Sequence, residues 1–219
     1  VTGTQTTHFG VHQIQAGEWI SVDLRARVPH ATRREFFRFH PSQNSGRSSV
    51  ANLASLDMLV GSAIQRLVDF ANGRQIVVPL SGGYDSRLVA GSLARVGYTN
   101  VVSFSYGREG NRESVVSEQV AREFGLTWEF VPYQPTKMRE TSQSVEWGAF
   151  FSKAWASASA PHIQDYVAIQ ELLAREKISS DAVVAPGHSG DFIAGSHIPA
   201  CTFEKDEFTW RDLTLQVLQ

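Results

Sequence analysis

The chain contains almost no cysteine. Cys201 is the single thiol among 219 residues, so an internal disulfide, a four-cysteine zinc site and a two-cysteine redox pair are excluded within this sequence. A lone thiol of this kind is typically a buried apolar side chain, and we interpret Cys201 in that way. The scarcity of cysteine is typical of proteins from a reducing compartment, and the predicted location is cytoplasmic.

An excess of charge of one sign is also missing. Twenty lysines and arginines stand against 22 aspartates and glutamates, which gives a formal net charge of −2. Proteins that bind a nucleic-acid backbone neutralise its phosphates with clustered basic residues. The balanced composition therefore predicts no nucleic-acid partner.

Long hydrophobic runs are absent from the sequence as well. A membrane-spanning helix needs roughly 20 consecutive apolar residues, and no stretch of the sequence approaches that length. Residues 1–10 lack the basic start and the apolar stretch of a signal peptide. We therefore expect no membrane partner for this chain.

What the chain does contain is the composition of a globular protein, with 42% hydrophobic residues, 17 glycines and 8 prolines. Its first part predicts a β-hairpin, because β-branched and aromatic residues flank a turn at Ala16–Glu18 and a second strand-like cluster follows at Phe36, Phe37 and Phe39. We interpret residues 1–41 as the remnant of a separate β domain. The serine-, glycine- and asparagine-rich segment Ser42–Ser49 then predicts a linker.

From Val50 onward the hydrophobic pattern alternates between helix and strand. Apolar residues at three- and four-residue spacing predict a helix that ends at Ala71, with Gly73 closing it. Short apolar runs predict strands at Ile76–Leu80, Val101–Tyr106, Trp128–Val131 and Ala182–Ala185. The segments between them predict helices at Ser86–Val96, Arg112–Phe124, Arg139–Ala156 and Ile163–Lys177. This alternation is typical of an α/β fold, a doubly wound parallel sheet with helices on both faces over residues 50–219, truncated at its C-terminus.

In a parallel sheet of this kind, ligands bind where loops leave the carboxyl ends of the strands. The loop Ser81–Ser86 contains Gly82 and Gly83, which let the backbone turn tightly and direct amide groups at an anion. Asp85 offers a carboxylate for Mg²⁺, which would bridge it to phosphate oxygens. The alternative is an ordinary turn in which Asp85 or Ser86 caps the following helix. The loop lacks the lysine of a P-loop and the spacing of a dinucleotide-binding motif.

The loop sequence SGGYDS resembles the S-G-G-x-D-S pyrophosphate loop of the N-type ATP pyrophosphatases. Its surroundings resemble the synthetase domain of asparagine synthetase-like amidotransferases in the segments Ser103–Gly107, Glu113–Gly125 and Gly187–Gly195. The turn around Ala16–Glu18 resembles the end of the glutaminase domain that precedes the synthetase domain in that family. The resemblance covers most of the chain, and it implies an adenine nucleotide alpha hydrolase-like fold.

The resemblance also implies an activity. In the family a substrate carboxylate attacks the α-phosphate of ATP, pyrophosphate is released, and ammonia converts the acyl-adenylate to an amide. For this chain it implies that the pyrophosphate of ATP is bound by Ser81, Gly82, Gly83, Asp85 and Ser86.

Further residues are assigned by the same resemblance. It implies Mg²⁺ ligands at Asp85 and Asp191, and for Asp191 the alternative is an ordinary turn carboxylate in a glycine-rich loop. Tyr106 and Gly187 match positions that line the adenine pocket, although for Tyr106 only the backbone is needed and the side chain can be packing alone. Asp85 is thereby expected to act in catalysis as well as in binding.

Two positions depart from the family pattern. His188 stands where the asparagine synthetases carry an acidic residue, and Phe192 stands where their Asp-Glu pair ends in glutamate. His188 is a candidate general base for the incoming ammonia, since an imidazole titrates near neutral pH; the alternative is a structural loop histidine. Because these changes alter the acceptor end of the site, we expect an acceptor other than aspartate, such as a sugar acid or a modified amino acid. We interpret His162 and His197 as structural.

The resemblance implies partners too. The expected substrates are ATP, a small-molecule carboxylate and ammonia, which a glutaminase domain absent from this chain releases from glutamine. The family's later catalytic lysines and its N-terminal nucleophile are not found in this sequence, so we expect the fragment to be inactive alone. Two alternatives stay open: a nucleotide-binding module that has lost catalysis, and another N-type ATP pyrophosphatase with a different acceptor.

Overall fold

The computed structural model describes residues 3–38, 49–155, 162–188 and 190. The chain divides into two compact units. The first, here named the hairpin unit, consists of Val1–Ser55 and Pro135–Gln164. The second, here named the sheet unit, consists of Leu56–Gln134 and Asp165–Gln219.

The described residues form strands and helices in alternation over most of the chain. The strands are β1 (Glu18–Asp23), β2 (His30–Glu35), β3 (Ile76–Pro79), β4 (Val101–Gly107), β5 (Thr127–Pro132) and β6 (Val183–Val184). The helices are α1 (Ser49–Ala71), α2 (Tyr84–Arg95), α3 (Arg112–Glu123), α4 (Pro135–Ser142), α5 (Val145–Trp155) and α6 (Tyr166–Ala174). None of the described helices is long and apolar enough to cross a membrane.

The hairpin unit contains the antiparallel pair β1–β2. The hairpin is confirmed, and a turn does form at the predicted place, where the amide of Glu18 donates to the carbonyl oxygen of Gln15. The prediction that this turn joins the two strands of the hairpin is wrong, because β1 and β2 are joined by the reversal over residues 24–29. Gly17 has a φ of +81° and makes a bend before β1. The carbonyl oxygen of Gly17 accepts the amides of Phe36 and Phe37, so the phenylalanine cluster follows β2 and is not a strand of its own.

The same unit contains α4 and α5, where the sequence predicted one helix at Arg139–Ala156. That prediction is wrong for a local reason. The side-chain oxygen of Ser144 accepts the backbone amide of Trp147 at 3.1 Å, which is the geometry of a helix N-cap. A serine that caps a new helix at this point separates it from the helix before.

The sheet unit contains a parallel sheet with the strand order β5-β4-β3-β6. Ile76 of β3 pairs with Val101 of β4 on one side and with Val183 of β6 on the other. The chain therefore moves outward from β3 through β4 to β5, and then returns to the opposite side of β3. In such a sheet, a crevice forms where the order reverses, here between the loops that leave β3 and β6. The predicted parallel sheet is confirmed.

Helices pack on both faces of this sheet, as expected. One face is covered by α1, α2 and α3, through side chains that include Ile64, Ala90 and Ala121. The opposite face is covered by α6, through side chains that include Ala168 and Leu172. Residues along β3 alternate between these two cores, because successive side chains of a strand point to opposite faces.

The observed ends of the helices in the sheet unit have recognisable causes. Helix α3 follows Asn111, whose side-chain oxygen accepts the amide of Ser114 at 2.9 Å, and Gly125 follows its end with a φ of +66°. The predicted helix at Arg112–Phe124 therefore agrees with α3 to within a residue. The predicted helix at Ile163–Lys177 is too long, because α6 occupies only its middle.

Candidate functional site

The loop between β3 and α2 is held in shape by its own serines. The side-chain oxygen of Ser86 accepts the backbone amide of Ser81 at 3.1 Å and lies 3.1 Å from the Ser81 hydroxyl oxygen. The Ser81 hydroxyl oxygen in turn accepts the backbone amide of Gly83 at 3.1 Å. Ser86 is buried, so its bonds are shielded from water. The loop thus carries an internal hydrogen-bond network that fixes the course of its backbone.

Helix α2 begins at Tyr84, with Gly83 in the N-cap position. Among the described residues no side chain caps this end of the helix, so the alternative of a capping Asp85 or Ser86 is wrong. Both residues lie in the first helical turn instead. Amide groups of a first turn have no partner within the helix and carry a partial positive charge. This end of α2 is therefore suited to bind an anion.

Arg87 supports the loop, and the sequence analysis did not single it out. Its guanidinium donates to the carbonyl oxygen of Gly82 at 2.6 Å and to that of Gly83 at 3.1 Å. It also lies 4.6 Å from the centre of the Tyr84 ring. These bonds offset the partial negative charge of both carbonyl groups beside the end of α2. The signal that could have found Arg87 is its spacing, since residues four apart are neighbours on a helix.

The loop after β6 lies directly against this end of α2. A Cβ atom on Gly187 would lie 2.5 Å from the backbone nitrogen of Ser86. A Cβ atom on Gly190 would collide with the carboxylate of Asp85. Both positions need glycine, because the two loops approach too closely for a side chain to fit between them. The structure thus brings Gly187 together with Asp85 and Ser86.

A cavity of about 270 Å³ opens beside this contact between the loops. Asp85, Gly187, His188 and Gly190 line it on the loop side, and His188 is exposed. The remaining lining is mostly apolar and comes largely from α1 and α2, with Val60, Ala63, Ile64, Leu88, Val89 and Pro186. The cavity therefore combines two ionisable groups with an apolar wall, which is the usual make-up of a site for a small molecule.

Tyr106, in β4 near its end, places its side chain on the α6 face of the sheet. Its hydroxyl lies near the carboxylate of Asp165. Its ring stacks on that of Tyr133, with the centroids 4.7 Å apart and the planes inclined by 17°. Burial and then the nearby Asp165 carboxylate raise the pKa of Tyr106, so the phenol stays protonated at neutral pH. The side chain of Tyr106 is thus engaged in packing and in one polar contact.

Asp165 is a further residue that the sequence analysis did not single out. One of its carboxylate oxygens lies within 4.8 Å of a ring nitrogen of His188. Asp165 directly precedes α6, and His188 follows β6, so only the fold brings the two together. No spacing in the sequence could have revealed this pair.

Several residues singled out from the sequence lie outside the described part of the chain. These are Asp191, Phe192, His197 and Cys201. The predicted Mg²⁺ ligand at Asp191 therefore stays a prediction. His162 is described, and it belongs to the hairpin unit.

Comparison with known families agrees with the loop motif. The model of the asparagine synthase family matches residues 57–203, which is more than half of the chain. The chain therefore belongs to the asparagine synthase family. The matched region includes the loop Ser81–Ser86 and the loop after β6.

Individual relatives are more distant. A probable glutamine-hydrolysing asparagine synthetase from Acanthamoeba polyphaga mimivirus is 28% identical over 132 residues, which cover 53% of this chain and 24% of that protein. The chain thus spans about a quarter of the length of the curated relative that it matches.

Solved structures resemble the chain only loosely. An NH₃-dependent NAD synthetase from Campylobacter jejuni has a TM-score of 0.35 and 17% identity, and the match covers 57% of this chain and 48% of that one. A predicted tRNA methyltransferase subunit from Methanocaldococcus jannaschii has a TM-score of 0.32 and 14% identity, with coverages of 66% and 63%. The fold assignment therefore rests on the sheet topology of this chain itself.

Proposed function

We propose that this chain is the nucleotide-activating part of an ATP-dependent amidotransferase. The observation that carries the proposal is the uncapped N-terminus of α2, set beside a serine-braced glycine loop that contains a carboxylate. A helix end of this kind favours a phosphate group, and the carboxylate is explained if a cation accompanies that phosphate. Membership of the asparagine synthase family supports the same reading.

In this proposal the pyrophosphate of ATP lies against the loop between β3 and α2. The backbone amide of Gly82 and one hydroxyl group of the Ser81–Ser86 pair are its donors, while Gly83 and Ser86 fix the course of the loop around it. Such donors stabilise the charge that develops on the leaving pyrophosphate, because they are already fixed before the reaction begins. Arg87 keeps the loop in the binding conformation through its two carbonyl contacts.

A Mg²⁺ ion fits the chemistry of the same place. Asp85 is half-buried beside the glycine loop, and a carboxylate is the hard oxygen ligand that Mg²⁺ prefers. Asp191 is the proposed second ligand. When bound, the ion supplies positive charge that the pyrophosphate needs as it departs.

The proposed reaction has two steps. An oxygen of the substrate carboxylate attacks the α-phosphorus of ATP, and the bond to the bridging oxygen breaks, so pyrophosphate leaves with the electron pair. The nitrogen of ammonia then attacks the acyl carbon, and AMP leaves with the electrons of the acyl–oxygen bond. His188 accepts the proton that the nitrogen loses. The ammonia is proposed to come from glutamine, hydrolysed in a glutaminase domain.

The acceptor is proposed to be a small-molecule carboxylate other than aspartate. His188 and Phe192 replace acidic residues of the family pattern, and the cavity beside His188 has a largely apolar wall. Both features favour an acceptor that is bulkier, or differently charged, than aspartate. Tyr106 and Gly187 are proposed to contact the adenine end of the nucleotide.

The proposal is tested by calorimetric titration of the protein with ATP in the presence and absence of Mg²⁺. Asp85→Ala should weaken Mg²⁺–ATP binding by about 10- to 100-fold, since even indirect supports of a metal site cost that much. Asp181→Ala is the matched control, because Asp181 is an exposed aspartate of the same unit and should leave binding unchanged. Equal affinity of the wild type and Asp85→Ala for Mg²⁺–ATP would contradict the proposal that the loop Ser81–Ser86 binds the nucleotide.

A further inference from the structure

The side chain of Asp165 does not cap helix α6, although Asp165 stands at the N-cap position. Asp165 occupies the N-cap position of α6, where an aspartate ordinarily accepts an amide of the first turn. Among the described residues no such bond from its side chain to the helix exists. Its carboxylate is therefore directed to other partners.

Tyr133 takes over the capping of α6. The amide of Ala168, the third residue of the helix, donates to the Tyr133 hydroxyl oxygen at 3.1 Å. This is one of the amides that an N-cap side chain would otherwise accept. Tyr133 is itself held by stacking against Tyr106. The tyrosine thus satisfies this helix amide in place of the Asp165 side chain.

Within the sheet unit, the Asp165 carboxylate lies near two other side chains. From β4, the Tyr106 phenol lies close enough to this carboxylate for the carboxylate to raise its pKa. A ring nitrogen of His188 lies within 4.8 Å of one of the carboxylate oxygens. Tyr106, Asp165 and His188 are all contributed by the sheet unit, from the end of β4, the start of α6 and the loop after β6.

We propose that Asp165 is a positioning residue for His188. One ring nitrogen of His188 donates a hydrogen bond to the Asp165 carboxylate in the working enzyme, which fixes the tautomer and leaves the other ring nitrogen to accept the proton from ammonia. The inference rests on the proposed function, in which His188 is the proton acceptor of the amide-forming step. A separation of up to 4.8 Å is compatible with this role, because catalytic hydrogen bonds are often long before substrates bind.

The experiment separates the two steps of the reaction in the complete protein. Carboxylate-dependent exchange of pyrophosphate into ATP reports the first step, and amide formation with added ammonia reports the second. Asp165→Asn should lower kcat for amide formation by about 100-fold, the usual contribution of a positioned base. The exchange rate and the KM for ATP should stay within about twofold of wild type, since neither depends on His188 as a base.

Two further variants distinguish positioning from a merely structural role. His188→Ala should lower kcat for amide formation at least as much as Asp165→Asn, and the double variant should be no slower than His188→Ala, because the two residues act as a unit. Tyr106→Phe should give a smaller fall, since it removes one contact to Asp165 and leaves the carboxylate in place. Asp181→Asn should leave both steps unchanged.

The possible failures are distinct. Normal exchange together with unchanged amide formation in Asp165→Asn would overturn the positioning role and leave the proposed function intact. Effects of Asp165→Asn and His188→Ala that multiply in the double variant would also overturn it. A wild-type protein that shows no exchange with any carboxylate would overturn both the inference and the proposed function.

Discussion

Two loops meet at the carboxyl edge of the parallel sheet, and they are held in different ways. The loop Ser81–Ser86 is braced by hydrogen bonds among its own residues and to nearby Arg87. The loop that contains Gly187 and His188 is fixed by what it touches, the end of α2 and the neighbourhood of Asp165. The shape of the first loop is therefore determined by a short stretch of sequence, whereas the position of the second loop depends on the assembled fold.

The largest expected effect breaks the contact between these loops. Gly187→Ala places a Cβ atom 2.5 Å from the Ser86 nitrogen, and the obstructing atoms are backbone atoms that cannot rotate away. The second loop must move, at a cost of about 3 kcal/mol in the free energy of unfolding. Chemical denaturation measures this loss, and calorimetry should find weaker binding of Mg²⁺–ATP.

Gly61→Ala is the control for that variant. Gly61 lies within α1, and the nearest atom to an added Cβ is the end of the Arg95 side chain at 4.0 Å. This substitution should stabilise the protein by about 0.5–1 kcal/mol, because alanine is the better helix former. Equal stability of the two alanine variants would mean that the loops do not pack as described.

A smaller effect is expected within the first loop. Ser86→Ala removes the oxygen that accepts the Ser81 amide and contacts the Ser81 hydroxyl. We expect a loss of about 1–2 kcal/mol in the free energy of unfolding, because a half-buried amide loses its partner. Nucleotide binding should weaken at the same time. A variant as stable as wild type, with undiminished affinity for ATP, would contradict the bracing role of Ser86.

The smallest effect concerns Tyr106 and Tyr133, which stack on each other in the core on the α6 face of the sheet. Burial, above all, raises the pKa of both Tyr106 and Tyr133 above the ordinary value of about 10. A raised folded-state pKa gives stability that is fully present below the unfolded-state value and is lost as the pH rises beyond it. Unfolding midpoints should therefore fall as the pH passes about 10, and Tyr106→Phe should reduce that slope. An unchanged slope in Tyr106→Phe would show that its phenol does not contribute.

The sequence predicted those features that depend on neighbours along the chain. The order of strands and helices along the chain, the limits of α3 and the glycine loop Ser81–Ser86 all follow from spacing, glycine and capping residues. The turn of the hairpin was misplaced, because Gly17 marks a bend and the reversal at 24–29 lacks an equally clear signal. The sequence did not predict the break between α4 and α5. Its cause is the hydrogen bond from the Trp147 amide to the Ser144 side chain, which only the structure shows.

The network around Asp165 was beyond reach for a different reason. The sequence predicts Asp165 as an ordinary N-cap of α6. In the structure the Tyr133 hydroxyl accepts the helix amide instead, and Tyr133 lies in a distant segment that matches no motif. A helix cap supplied by a residue far away in the sequence produces no periodicity or spacing from which it could be predicted. Arg87 is an intermediate case, because its position one turn after Gly83 could have been noticed.

The most direct test of the account is to identify which bond of ATP the complete protein breaks. With ammonia and an accepted carboxylate, the proposed function predicts AMP and pyrophosphate as products, and it predicts that labelled pyrophosphate exchanges into ATP before ammonia is added. Asp85→Ala should abolish both signals while Asp181→Ala retains them. Release of ADP and orthophosphate, or exchange that persists in Asp85→Ala, would contradict the assignment of the Ser81–Ser86 loop to the pyrophosphate of ATP.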